Sequence, residues 1–385
     1  MEALVTPQLL QWARRRRSLR VEEAAEKINV HPDRLSKWEQ GEDNPTLKQA
    51  KTLAEKLYVP FGYLFLPNPP TEDLPLPDFR TTSSVQESLP SPDFLDVLRD
   101  TLRKQEWYRE YQESIGSAPL DFIGRFTQDD NPVVVASNIR DTLYLDSDMR
   151  EEASNWEQFL QEFIRRVEKA GVLVLRNGVV GNNNHRPLDV EEFRGFVISD
   201  SLAPIIFING KDAKTAQIFT LAHELAHLWM GQSGVSNPNY LNRLVEPQNI
   251  AEKIANQVAA ETLLPSSELI SIWDNARDIT NNVDNLARIY RISKFVVLRR
   301  AFDNEKVSED EYFDYYRSLP NERHISTGTT GGNFYRSLVA RNSITFTHTI
   351  LIACAEGKVS RKEASSLLNI KIKSLPSIQR EILGS

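Results

Sequence analysis

His223, Glu224 and His227 spell H-E-x-x-H inside Thr220–Gly231, which reads TLAHELAHLWMG. On a helix, residues i and i+4 lie one above the other on the same face. The two imidazoles can therefore grip one ion. Glu224 follows the first of them and leans towards the same ion without binding it. Two histidine ligands with a carboxylate placed to take a proton from water form the layout of a zinc hydrolase. The chain has six histidines in 385 residues, so this spacing carries weight. Leu221, Leu225 and Leu228 add a second apolar side, which predicts a helix buried on both faces. Asp212 is placed to cap it and Gly231 to end it. A buried imidazole pair beside a carboxylate is hard to satisfy without a metal.

A catalytic zinc takes three protein ligands and leaves one position open. Residues 232–248 read as a loop, with Pro238 and Pro247, and a helix then runs from Asn249 to its stop at Pro265. Glu246, Glu252 and Glu261 compete for the third place. Glu252 shares a face with Asn256 and Ala259, whose small size lets the two helices approach, and it is the favoured ligand. No oxyanion stabiliser stands out; Tyr240 is the guess.

The rest of the chain sets the frame. Its length suggests two or three domains. Hydrophobic residues make up 40% and charged residues 26%, the make-up of an ordinary globular protein. With 46 Lys and Arg against 53 Asp and Glu, the net charge is −7. No global basic field advertises nucleic acid, so any DNA contact must come from a local patch. Cys354 is the only cysteine, which excludes a disulfide framework and a thiolate metal cluster and fits a reducing cytoplasm. No run is long and apolar enough to span a membrane.

The first 68 residues read as five short helices, the last of them the short turn Val59–Phe65. Leu9, Leu10, Trp12 and Ala13 give the first an apolar stripe. Val21–Ile28 forms the second. Pro32–Gln40 forms the third, with Pro32 suited to the first helical position and Gly41 as its stop. Thr46–Leu57 carries Leu47, Ala50, Leu53, Ala54 and Leu57 on one side. The run Leu35-Ser36-Lys37-Trp38-Glu39-Gln40-Gly41-Glu42, then Pro45-Thr46-Leu47 and Leu53-Ala54, resembles the Cro/C1 (XRE-type) helix-turn-helix family. The resemblance implies that Pro32–Gln40 enters the major groove of an operator. Asp33, Arg34 and Lys37 are then the candidate contacts, with Arg14, Arg15, Arg16 and Arg17 on phosphates. The start of the second helix departs from the family pattern, with Arg20 and Val21 where a Ser or Thr cap is usual. A docking or dimerisation module is the alternative, with a second copy of the chain as a candidate partner.

Pro67, Pro69, Pro70, Pro75 and Pro77 make residues 67–92 an extended linker or strap, and Phe79 is an apolar anchor by which a strap could dock. Helices are expected over Asp93–Ser114, Val133–Leu143 and Glu151–Ala170. The period then changes, and Val172–Leu175, Gly195–Ile198 and Pro204–Ile208 read as strands. The loop Gly178–Pro187 carries His185, a polar loop tip by preference and a cleft residue by alternative. A small sheet thus precedes the metal helix.

The pieces Glu192-Phe193-Arg194-Gly195-Phe196, Pro204–Asn209, Phe219–His227 and Glu252-x-x-Ala255-Asn256-x-x-Ala259-Ala260 resemble the ImmA/IrrE family of zinc metallopeptidases. The family's E-x-x-A-N motif supplies its third zinc ligand, which carries to Glu252. The order helix-turn-helix, Pro-rich strap, peptidase also resembles fused members of that family.

After about residue 302, Thr327–Asn333 is a glycine-rich loop without the lysine of a P-loop. Phe334–Ala355 and Arg361–Leu368 are expected to be helical. The expectation is an α+β, mostly helical chain. It divides into a five-helix module (1–68), a strap and helical connector (69–150), a zincin-like domain with a small sheet (151–300) and a helical C-terminal domain (301–385). The functional expectation is a cytoplasmic Zn2+ endopeptidase fused to a DNA-binding module, with Glu224 as base and a protein such as a repressor as substrate. The rival is an autoregulator or antitoxin that binds its promoter and a toxin, with the zinc site structural or idle. A pure interaction scaffold is the third.

Overall fold

The computed structural model describes residues 2–17, 19–70, 75–78, 90–236, 249–319 and 333–384. The chain divides into two compact units, one of residues 1–75 and 87–96, the other of residues 76–86 and 97–385. Each is described in turn.

In the first unit, helices α1 (Pro7–Arg16), α2 (Val21–Ile28), α3 (Pro32–Gln40) and α4 (Leu47–Lys56) precede a 3-10 turn, Phe61–Phe65. The helix boundaries follow from local chemistry. Pro32 opens α3 and Gly41, at φ +79°, closes it. The Thr46 hydroxyl accepts from the Gln49 N–H while the Gln49 side chain accepts from the Thr46 N–H, so α4 starts on a reciprocal cap, a device worth about 1 kcal/mol. Leu10, Ala24, Ala25, Leu35, Trp38, Ala50 and Leu53 share one core, and the small alanines let α2 and α4 approach closely.

The second unit is α+β. It holds most of α5 (Pro92–Ser114), then α6 (Pro132–Leu143), α7 (Ser147–Glu152) and α8 (Trp156–Lys169). Glu151–Ala170 is therefore two helices where the pattern predicts one. The break falls where the Asn155 side chain accepts from the Gln158 N–H and restarts the helix. Strands β1 (Leu173–Asn177), β2 (Val179–Val180), β3 (Asn183–Pro187), β4 (Gly195–Ile198) and β5 (Ile205–Asn209) follow, then α9 (Lys214–Trp229) and β6 (Gly234–Ser236). The main sheet has the order β1-β5-β4-β6, with β1 parallel to β5 and the other pairs antiparallel. β6 lies inside the stretch predicted as loop, and β2 with β3 forms a hairpin where a loop is predicted.

Helices α10 (Ile250–Leu263), α11 (Ser266–Ile272), α12 (Ile279–Tyr290), α13 (Lys294–Asp303) and α14 (Glu309–Ser318) complete the region around α9. The last helices are α15 (Phe334–Asn342), α16 (Ile344–Ala355), α17 (Arg361–Leu367) and α18 (Leu375–Leu383). The predicted helix Phe334–Ala355 is broken at Ser343, which sits at φ +68° and caps α16 through its hydroxyl. The buried carboxylate of Glu168, at the end of α8, accepts from the Ile344 and Thr345 N–H groups and ties α16 to the start of the sheet. These C-terminal helices belong to the same compact unit as α9 and α10. Among the described residues no single helix is long and apolar enough to cross a membrane. Phe79, and all of Thr327–Asn333 except Asn333, lie outside the described residues.

Candidate metal centre and nucleic-acid interface

Helix α9 is a core helix. From Gln217 to Trp229 every residue is buried, as the two apolar sides require. Its start differs from the expectation. Ala213 is the N-cap, and Asp212 pairs with Arg194 at 3.0 Å while one of its oxygens accepts the Ala213 N–H. Its end is held by the segment between α5 and α6. The Gly124 and Phe126 N–H groups donate to the Leu228 and Trp229 carbonyls, each at 3.0 Å, so carbonyls that a helix end leaves open are satisfied. Gly124 and Gly231 meet backbone to backbone, both at positive φ, and a Cβ on Gly231 would come within 3.0 Å of the Gly124 Cα. The Trp229 indole donates to Asn138 and stacks on Phe122. The helix that carries the histidines is thus fixed at its C-terminal end.

Helix α10 packs along α9, and Ala255, Asn256 and Ala259 on its buried side permit the close approach. That approach brings Glu252 to the histidines. His223 Nε2 and His227 Nε2 are 3.1 Å apart, His227 Nε2 is 3.0 Å from Glu252 Oε1, and His223 Nε2 is 3.4 Å from Glu252 Oε2. Four ligand atoms about 2.0–2.1 Å from a tetrahedral zinc stand about 3.3–3.4 Å from one another. The observed triangle has the size of one face of that tetrahedron, and its donor set, two imidazoles and a carboxylate, is one that zinc takes. The three residues are also the one such group among the described residues whose donor atoms all lie within 4.8 Å.

The electrostatics of the cluster agree with its geometry. Burial pushes the Glu252 carboxyl up, but the imidazoles of His223 and His227 outweigh it and hold the group at about 2. Burial lowers the His223 pKa and so favours the neutral imidazole, the form that binds a metal. Glu224 is wholly buried, and neither carboxylate oxygen has a hydrogen-bond partner among the described atoms. Burial, with the charge of Glu252, raises its pKa well above the ordinary carboxylate value. A carboxylate with both oxygens idle costs free energy unless something meets it there. Gly195 on β4 makes its place. A Cβ at 195 would stand 2.8 Å from Glu224 Oε1 and 3.0 Å from the Phe207 carbonyl, so no other residue fits without a shift.

Two further residues touch the cluster and escape a reading of the sequence. The Gln232 side chain lies 2.9 Å from His227 Nδ1, which fixes the ring with Nε2 turned to the triangle. Ser236 on β6 reaches Glu252 Oε1 at 3.4 Å. Neither belongs to a helical period. The competing acid Glu261 is spent elsewhere, in an ion pair with buried Arg300 and in bonds to Ser266. Glu246 and Tyr240 lie outside the described residues. His185 is exposed on β3 and is not part of the cluster.

In the first unit α3 hides Leu35 and Trp38 and turns Asp33, Arg34 and Lys37 outward. Asp33 sits beside His31 at 3.3 Å, and Arg34 stands over the Trp38 ring, 3.6 Å from Asp43. The three arginines that end α1 and its C-cap Arg17 do different things. Arg14 makes a bidentate pair with Glu39 at 2.6 and 2.7 Å, so its guanidinium braces α1 against α3 and is not presented to a phosphate. Arg17 binds Asp93 at 3.0 Å and lies over the Tyr58 ring. Arg16 donates to the Tyr58 carbonyl. Arg15 alone of the four is exposed. Helix α2 starts at Arg20 without a Ser or Thr cap, and the Glu23 carboxylate accepts the Arg20 N–H instead.

Comparison with known families places both regions. Residues 10–64 match the helix-turn-helix model, and residues 167–302 match the IrrE N-terminal-like domain, a peptidase family. The order of the two is the order expected from the sequence. Curated proteins and solved structures gave no match.

Proposed function

We propose that this chain, a helix-turn-helix domain followed by an IrrE N-terminal-like domain, is a cytoplasmic DNA-binding regulator that cuts a regulatory protein at a zinc centre. The observation that carries the reading is the triangle of His223, His227 and Glu252, 3.0–3.4 Å on its sides, beside a buried Glu224. His223, His227 and Glu252 hold the metal. Bound zinc supplies Lewis acidity, which makes water nucleophilic near neutral pH. Glu224 takes the proton of the attacking water and passes it to the leaving amine. Burial and the charge of Glu252 raise the Glu224 pKa, which strengthens Glu224 as a base for the water proton. Gln232 orients His227. The outer face of α3, with Arg34, Lys37 and Asp33, reads an operator, and Arg15 lies on phosphate. The substrate is a protein, such as a repressor relieved under stress or on induction of a mobile element.

The burial of all four residues, none more than 3% exposed, favours a second reading. In it the metal site is structural or idle, and the chain is an autoregulator or antitoxin that binds its own promoter and a toxin. Proteins encoded by neighbouring genes, incubated with the purified chain with and without a chelator, separate the two. The peptidase reading expects chelator-sensitive cleavage of one of them that Glu224→Gln abolishes. Intact partners throughout, with promoter control and toxin neutralisation unchanged in a Glu224→Gln strain, would replace it with the regulator.

A further inference from the structure

The outer edge of the main sheet is occupied by the chain itself. β6 is the last strand in the order, so one row of its N–H and C=O groups faces away from β4. The Arg194 N–H reaches the Ser236 carbonyl on the inner side, whereas the Val235 N–H points outward and donates to the Pro77 carbonyl at 3.0 Å. Asp78 pairs with Val235 in parallel. Residues 76–78 and β6 fall in the same compact unit. The strap thus adds a short stretch of strand to the edge one residue from Ser236, whose hydroxyl touches Glu252.

Three facts make this pairing a replaceable one. Proline has no N–H, so Pro75 and Pro77 cannot donate to the edge. Pro77 and Asp78 are exposed and Leu76 is only partly covered, so little apolar burial holds these three residues down. Among the described residues the pairing extends over a single bridge, Asp78 with Val235, and a pairing so short is a weak hold. An extended peptide that adds to an exposed edge needs the same outward N–H, because main-chain bonds give that mode its affinity. We propose that Leu76–Asp78 is a built-in competitor for the β6 edge, and that an extended protein segment reaching the metal centre must first displace it. The cluster's burial is consistent with a site that is closed until something moves. The proposal rests on the peptidase reading only for its consequence, since occupancy of the edge needs neither metal nor cleavage.

The test uses the full chain, with Leu76–Asp78 replaced by Gly-Ser-Gly, and the synthetic peptide of residues 70–80 as probe. Hydrogen exchange at the Val235 amide should speed up by about tenfold or more in the replacement variant, as for any amide deprived of its local bond. The added peptide should restore its protection, and should bind the variant while failing to bind the intact chain. The milder Pro77→Gly, which keeps the carbonyl and loosens the strap, should fall between the two. A Val235 amide equally protected in variant and wild type, or a peptide that binds both alike, would overturn the proposal. If the edge behaves as proposed and no protein is cut, only the peptidase reading falls.

Discussion

Helices α3 and α9 carry the two functional readings, and they are buried in opposite ways. α3 hides Leu35 and Trp38 and shows Asp33, Arg34 and Lys37 to solvent, whereas α9 shows nothing from Gln217 to Trp229. An exposed helix announces itself through its apolar stripe, and its outward residues follow from the same stripe. Which molecule those residues meet is not written there. A helix buried all round has no stripe to read. Its polar residues must then be satisfied by something specific, so the chemistry of His223, Glu224 and His227 speaks where periodicity is silent. The outer helix is legible as structure and open as function, and the inner one is the reverse.

The largest expected effect sharpens the inner half of that comparison. Glu224 is given the role of base and not of ligand. Glu224→Gln should therefore keep the fold and the metal while cleavage falls by about 10²–10⁴-fold, the scale of a lost general base. Glu252→Gln should lose metal as well as activity, because a neutral amide is the poorer ligand. Equal metal loss in both variants, measured by elemental analysis, would merge the two roles and break the assignment.

A smaller effect belongs to the outer helix. Arg34→Ala with Lys37→Ala should weaken operator binding by about 1–3 kcal/mol for each base that α3 no longer reads, and less where a residue meets only phosphate. A shallower dependence of binding on salt would mark the phosphate share. Intact protein with no preference for its own upstream DNA over random DNA would leave α3 as a docking face.

The smallest effect tests whether α1 serves binding or folding. Arg14 is joined to Glu39 by two short bonds in a partly buried site. Arg14→Ala should cost the first unit about 1.5–3 kcal/mol of stability, the range for a hydrogen bond to a charged group. Arg15→Ala should leave stability alone and reduce the salt dependence of DNA binding. Denaturant midpoints of the two variants, read beside their DNA titrations, check the division. Reversed outcomes would return Arg14 to the phosphate-binding set.

What the sequence disclosed follows from range. Pro32, Gly41 and Thr46 act within a few residues of themselves, and the helices they bound are where the pattern puts them. Gly195–Ile198 reads as a strand because it is apolar and short, and so it is. The break at Ser343 is invisible because the apolar pattern of Phe334–Ala355 runs through it. What rewards the break is Glu168, far away in sequence, which accepts the freed N–H groups of Ile344 and Thr345. β6 is three residues long and gains its pairing only from β4 and the strap. Gln232 lies just past the helix and meets His227 only because the chain turns back at Gly231. At the candidate metal site the spacing of the histidines is local and legible. The choice of Glu252 over Glu261 needs the approach of α10 to α9, for which Ala255, Asn256 and Ala259 are the local sign.

The central claim is that His223, His227 and Glu252 together hold one zinc ion. Metal content measured on the purified chain and on the His223→Ala, His227→Ala double variant tests it most directly. About one zinc per chain, as a three-ligand site implies, should fall to none in the double variant, with the helix-turn-helix unit still folded. Full zinc retention by a folded double variant would contradict the claim.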